Sequence, residues 1–225
     1  MKKSRIFTEK ELEEMGKVPR DSAIEAIEAG DKEKAIDIVN GIHNTAQGTL
    51  DMFVGWVADL MDYIYVHDGA EGLEEALRKT YERGESKRLE AFSKMDVRGR
   101  VEAHAAGLRG LLQKLEIEED DEKICIKMAS CGTGQRLMEA GAYESPRNLS
   151  KMSPHRLTWG TKDFPVYCSH APMQEIIAIE KMGKPMFVRL PAAEVSTESC
   201  RLCYYKDDNS IPEEIYHRLG AEKVK

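Results

Sequence analysis

The chain has 225 residues, the size of one ordinary domain or two small ones, and a formal net charge of −7. With 41% hydrophobic, 32% charged and 7% aromatic residues it is too apolar for a disordered chain and too charged for lipid. The acidic balance argues against sequence-independent nucleic-acid binding, which needs a basic surface, and against docking on anionic membrane.

The opening residues lack the apolar core of a signal peptide, because charge resumes at Glu9-Lys10. The most apolar window, 49–66, carries Asp51, Asp59 and Asp62, which a membrane span rarely tolerates. A cytoplasmic location is therefore expected, with the five cysteines as thiols or metal thiolates rather than disulfides.

Helices come first. Thr8 and Glu11 form a capping box for a helix to Met15. A second runs from Asp21 to Ala29 and stops at Gly30, and Asp31 caps a third that runs from Lys32 towards Tyr65. At about 100° per residue, Leu50, Phe53, Val54, Val57, Leu60, Met61 and Ile64 fall in one arc, with the three aspartates outside it. That arc is the expected buried face, and it also carries His43, read as a core residue. Asp68-Gly69 ends this stretch. Helices over 71–82 and 86–115 follow, the latter interrupted around Asp96 to Gly99.

The chemistry changes near residue 120. Residues 1–120 hold 18 Lys/Arg against 26 Asp/Glu and no cysteine, whereas residues 121–225 hold 15 against 14 and all five cysteines. The acidic run 118–122 marks the seam as a solvated connection. Two regions are expected: an acidic helical one over 1–120, and a cysteine-bearing one over 121–225. In the second, Lys123 to Ser130 alternates apolar and polar as a strand does. A turn at Cys131-Gly132-Thr133-Gly134 leads into a short helix closed by Gly141. A polar irregular stretch over 144–162 follows, and Phe164 to Cys168 is extended. A helix runs from Pro172 to Met182, and two strands lie over 185–190 and 201–206, paired through 191–199. A last helix follows Pro212. The fold class is α+β, a helical bundle packed with a small mixed sheet and helices.

Three places invite chemistry. Cys131, Cys168, His170 and Cys200 have the thiolate and imidazole types that zinc prefers, and each sits at an element boundary where ends gather at a sheet edge. Zinc is the first expectation and iron the second; the plainer alternative is four buried small side chains. Cys200 and Cys203 also form a Cys-x-x-Cys, in which Cys203 could replace Cys200 as a ligand, although Leu202, Tyr204 and Tyr205 favour a strand over a redox helix start. The turn from Gly132 through Thr133 and Gly134 to Arg136 could hold a ligand's negative end, or be a tight turn only. Trp159 and Tyr167 could stack on a substrate, and His155 or Glu175 could move protons, although each is as readily structural.

Through Cys131-Gly-Thr-Gly, Tyr167-Cys168-Ser169-His170 and Cys200, residues 123–225 resemble the cysteine-bearing domains grouped around L-2-amino-thiazoline-4-carboxylic acid hydrolase and the 4-vinyl-reductase-like ligand-binding domains. The resemblance implies a helical front half, a small sheet, and a small-molecule site near Cys131, Cys168 and Cys200. The expected function is a metal-dependent, zinc-first hydrolase or lyase for a small carboxylate-bearing molecule. The alternative is a non-catalytic binding or sensory module with a structural metal. The helical half would supply a pocket wall and a homodimer surface.

Overall fold

The structure, a computed structural model, describes residues 6–84, 86–129, 131–191 and 199–224. It divides into two compact units, Met1–Leu50 and Asp51–Lys225.

The first unit holds α1 (Glu9–Gly16), α2 (Pro19–Glu28) and the start of α3 (Lys32–Gly84). The Thr8–Glu11 capping box forms in both directions, as the spacing predicts. Helix α2 begins at Pro19, whose missing N–H costs nothing in the first turn. Asp31 caps α3, its carboxylate accepting from the Lys34 amide at 3.1 Å. His43 is exposed, not in a core.

In the second unit α3 runs on to Gly84 with one break, at Gly69, which takes φ 73°. A left-handed backbone of that kind favours glycine, so the first helical stretch ends at Asp68-Gly69 as expected, and a second continues from it across the kink. The expected buried arc is only partly buried. Val54 and Met61 are buried and Leu50 and Ile64 half-buried, but Phe53, Val57 and Leu60 are exposed. The aspartates explain the rotation. Asp51 forms a two-pronged pair with Arg136, Asp59 takes the Arg147 Nε at 2.9 Å, and Asp62 takes the Ser150 amide at 2.7 Å. Arg147 also donates to the Gly55 carbonyl at 2.7 Å. The inner face of α3 is therefore that of Val54, Gly55, Ala58 and Met61, with Asp51 and Asp62 beside it and Asp59 at its exposed edge.

Helices α4 (Ser86–Ser93) and α5 (Val97–Gly110) follow, with Asp96 capping α5 through the Gly99 amide at 2.7 Å. Strand β1 (Leu115–Glu119) then pairs with β2 (Lys123–Met128) as an antiparallel hairpin. The acidic run is thus the end of a strand and its turn, and the residue-120 seam falls inside this hairpin. Asp120 makes the turn, accepting the Glu122 and Lys123 amides at 2.8 Å each.

The remaining elements are α6 (Gly134–Glu139), β3 (Lys151–Met152), β4 (Phe164–Pro165), α7 (His170–Met182), β5 (Val188–Leu190), β6 (Arg201–Tyr205) and α8 (Glu213–His217). The main sheet has the order β1-β2-β6-β5, and a second pairs β3 with β4. Every pairing is antiparallel, where a mixed sheet was expected. β5 and β6 neighbour each other as expected; residues 192–198 of their connection, like Ser130 after β2, lie outside the described residues. The fold is α+β.

Side-chain alternation decides what the sheet does. Ile126 and Met128 of β2 and Leu202 and Tyr204 of β6 share one core with Leu89 and Phe92 of α4, Val101, Ala105 and Leu108 of α5, and Ala178 of α7. The opposite set places Cys125 directly across from Cys203, and the two are disulfide-bonded. Reduced cysteines throughout were expected. Register overturns that for this pair, because facing residues on antiparallel strands bring their β-carbons within bonding reach.

Among the described residues no helix is long and apolar enough to cross a membrane.

Candidate functional site

One cavity of about 510 Å³ lies within the second unit. Its walls come from α4, α5, β2, the turn after β2, α7, β5 and β6, and are apolar through Phe92, Leu108, Met128, Trp159, Phe164 and Leu202. Cys131, Cys168, His170 and Cys200 all line it. The grouping of element ends at a sheet edge is what places them there.

Cys131 occupies the turn between β2 and α6. Its amide donates to the Gln135 side-chain oxygen at 3.0 Å, and its sulfur lies 3.5 Å from the Thr133 hydroxyl. Burial pushes this thiol up, but hydrogen bonds from the Thr133 hydroxyl and from the Gln135, Thr133 and Gly134 amides outweigh it. The net result lies below the ordinary thiol value, because these hydrogen bonds favour the thiolate. Cys168 is the opposite case. Burial drives its thiol well up, helped by the nearby Cys131 and Cys200. Its sulfur packs so tightly on Gly134 that a β-carbon there would sit 2.7 Å away. That contact, rather than any turn geometry, requires the glycine.

His170 is the first residue of α7. Its Nδ1 lies 2.6 Å from the Tyr167 carbonyl, so Nδ1 carries the proton and Nε2 holds the lone pair. Burial lowers its pKa to about 4, with the Arg189 charge adding to the effect, so the ring is neutral near pH 7. Tyr167 is buried; desolvation raises its hydroxyl to about 12, and a hydrogen bond with Thr133 opposes this.

The remaining expected residues divide. Gly132, Thr133 and Gly134 form the turn. Gly132 lies under Gln113, where an added β-carbon would meet its side chain at 2.8 Å. Arg136 is elsewhere: it is spent on Asp51 and does not line the cavity. Trp159 lines the wall, but its indole N–H donates to Glu175 at 2.7 Å. Glu175 also takes the Arg189 amide at 2.9 Å and pairs with Arg218 at 3.1 Å. It is a buried tether rather than a proton carrier. His155 likewise caps a short turn, its ring nitrogen accepting from the Leu157 amide.

With Cys203 bonded to Cys125, Cys200-x-x-Cys203 cannot act as a dithiol, and Cys131, Cys168 and Cys200 are the free cysteines. A four-thiolate iron–sulfur site would need one more. Among the described residues no group of three or more His, Cys, Asp or Glu is arranged to hold a metal ion.

Two polar residues of the cavity were missed. Arg189 brings a guanidinium to the wall; its Nη2 donates to Gln174 at 3.2 Å, and its buried Nε has no hydrogen-bond partner among the described residues. The signal was a charge inside the apolar run Phe187-Val188-Arg189-Leu190. Gln113 is buried, lines the cavity, and its Oε1 has no partner among the described residues. Nothing in its sequence context marks it. A search of protein-family models, curated proteins and solved structures finds no match to this chain.

Proposed function

We propose that this chain is a hydrolase or lyase for a small molecule with an apolar body and a carboxylate, with Cys131 as the reacting group. The supporting observation is the Cys131 sulfur on the wall of the cavity, beside the Thr133 hydroxyl and across a single chamber from the Arg189 guanidinium. The cavity volume lies within the ordinary range for small-molecule sites, about 300–1,000 Å³. Arg189, not Arg136, is the cation for the carboxylate, because Arg189 lines the cavity whereas Arg136 is held by Asp51 outside it.

In this reading the sulfur, as thiolate, adds to an electrophilic carbon of the substrate. The departing nitrogen or oxygen takes the proton that the thiol gave up; water then adds to the same carbon, its hydroxyl staying there and its other proton returning to the released sulfur. Apolar walls keep competing water out. The resemblance to the thiazoline carboxylate hydrolase group agrees with this class of reaction.

A second reading keeps zinc, with Cys131, Cys168, His170 and Cys200 as ligands. It is favoured by their shared cavity and by His170, whose Nδ1–H is held by a backbone carbonyl as in many metal-bound histidines. Zinc there would supply Lewis-acid chemistry, or, with all four ligands engaged, structural support for a non-catalytic binding module.

The test is elemental analysis of untagged protein, combined with iodoacetamide labelling read by mass spectrometry. Metal-free protein in which Cys131 labels well ahead of Cys168 and Cys200, and in which Cys131→Ser abolishes turnover across a panel of small carboxylates, supports the nucleophile. One zinc per chain, lost in Cys131→Ser and Cys168→Ser, supports the second reading. Three equally inert sulfurs without metal overturn both.

A further inference from the structure

The rotation of α3 leaves an apolar surface uncovered. Over residues 52–63, Met52, Phe53, Trp56, Val57, Leu60 and Tyr63 are all exposed, and Trp56 and Tyr63 are 61% and 63% accessible. At about 100° per residue they occupy one arc of roughly 140°. Within that stretch no charged residue falls in the arc. Asp51 and Asp62 turn to the other face, and Asp59 borders it, held by Arg147.

We infer that this stripe is a self-association surface on which a second copy of the chain docks through the same six residues.

Three observations select that occupant. The first is size. Full burial of an aromatic side chain covers about 150–250 Å², so these six residues, 43% to 63% exposed, present roughly 600–700 Å². That exceeds the apolar patch of an ordinary monomer and approaches the ~800 Å² per partner of a stable interface. The second is charge. A chain of net −7 repels its own copy, and self-contact is tolerated only through a face without charge, which this stripe is. The third is composition. Trp, Tyr, Phe and Met are the residues enriched at interface centres, and Phe53 and Trp56 already pack at 6.5 Å between ring centroids. A two-fold contact needs no partner patch other than itself.

The test uses the full chain. Sedimentation at tens of micromolar gives a two-chain species, and Trp56→Glu with Leu60→Glu gives a single-chain species with unchanged helical circular dichroism. Leu60 lies near the centre of the stripe, so Leu60→Cys oxidises to a covalent pair joined through position 60, identified by mass spectrometry. A single-chain parent overturns the inference, including one that binds lipid vesicles instead. So does a pair that survives the double substitution. Should the double variant fail to fold, the cross-link decides: its absence sinks the proposal.

Discussion

The carboxamide oxygen of Gln135 accepts the Ser199 hydroxyl at 2.8 Å. The same oxygen takes the Cys131 amide at 3.0 Å, and the Gln135 nitrogen donates to Glu139 at 3.2 Å. One side chain at the start of α6 therefore ties the turn that carries Cys131 to the segment that carries Cys200. Gln135 is a positioning residue, since it acts on the cysteine backbone and not on a ligand.

Gln135→Leu keeps the volume and removes the acceptor. Both donors are then left in a buried site, at a cost of about 1–3 kcal/mol. The urea midpoint is expected to fall accordingly, and the rate of Cys131 alkylation to change, because the amides around its sulfur lose their fixed geometry. Gln135→Glu restores an acceptor and is expected to recover most of the labelling behaviour. A variant with parental stability and labelling would show that the tether is idle.

Gly134 tests the packing of the site. Its added β-carbon would meet the Cys168 sulfur at 2.7 Å, closer than atoms tolerate, so something must shift. Gly134→Ala is expected to destabilise by about 1–3 kcal/mol, the usual cost of overpacking. Cys168→Ala makes room and is expected to relieve most of that loss in the double variant. Additive losses would place the strain elsewhere.

The two arginines separate a surface pair from a cavity group. Arg136 and Asp51 are each more than a third exposed, so water screens them and their coupling in a double-mutant cycle is expected to be about 1 kcal/mol or less. Arg136→Ala leaves the binding of small carboxylates unchanged. Arg189→Met is expected to weaken it by roughly tenfold or more, the loss of one charge-assisted contact. Calorimetric titration with a panel of such ligands checks both, and equal effects from the two substitutions would return the carboxylate to the turn.

Much of the local structure is legible in the sequence, because caps and periodicity act over a few residues. Thr8 with Glu11, Asp31, Asp96 and Gly183 all end helices where their side-chain or backbone chemistry says they should. The orientation of α3 is not legible. Periodicity sees hydrophobicity, but Arg136, Arg147 and the Ser150 amide, each more than 80 residues away, hold the aspartates beside the inner face. The Cys125–Cys203 bond is hidden for the same reason, since it depends on the register of strands 78 residues apart. Strand β1 is masked by its charge: Leu115 and Ile117 alternate with glutamates, and a run of carboxylates reads as a solvated connection. The convergence of Cys131, Cys168, His170 and Cys200 could be anticipated from their places at element ends. Gln113 had no signal, because its role exists only once α5 has packed over the turn.

His104 gives a pH prediction with a definite sign. It lies in the core between Phe92, Phe187 and Tyr204, and its Nδ1 is hydrogen-bonded to the Tyr204 hydroxyl. Desolvation lowers its pKa to about 3, and the Arg88 and Arg189 charges push the same way. The unfolded chain binds a proton at this residue below about 6.5, whereas the folded chain refuses it until much lower pH. Between those values the unfolded state holds more protons, so stability rises with pH through this window and is lost as pH falls from 6.5 towards 3. The contribution of one such histidine is on the order of a few kcal/mol. His104→Gln keeps a hydrogen-bonding side chain for Tyr204 and cannot titrate. Urea unfolding between pH 4.5 and 7.5 is therefore expected to show a steep acid-side loss in the parent and a shallower one in His104→Gln. Parallel curves would mean that His104 is protonated inside the fold, and that its neighbours accommodate the charge.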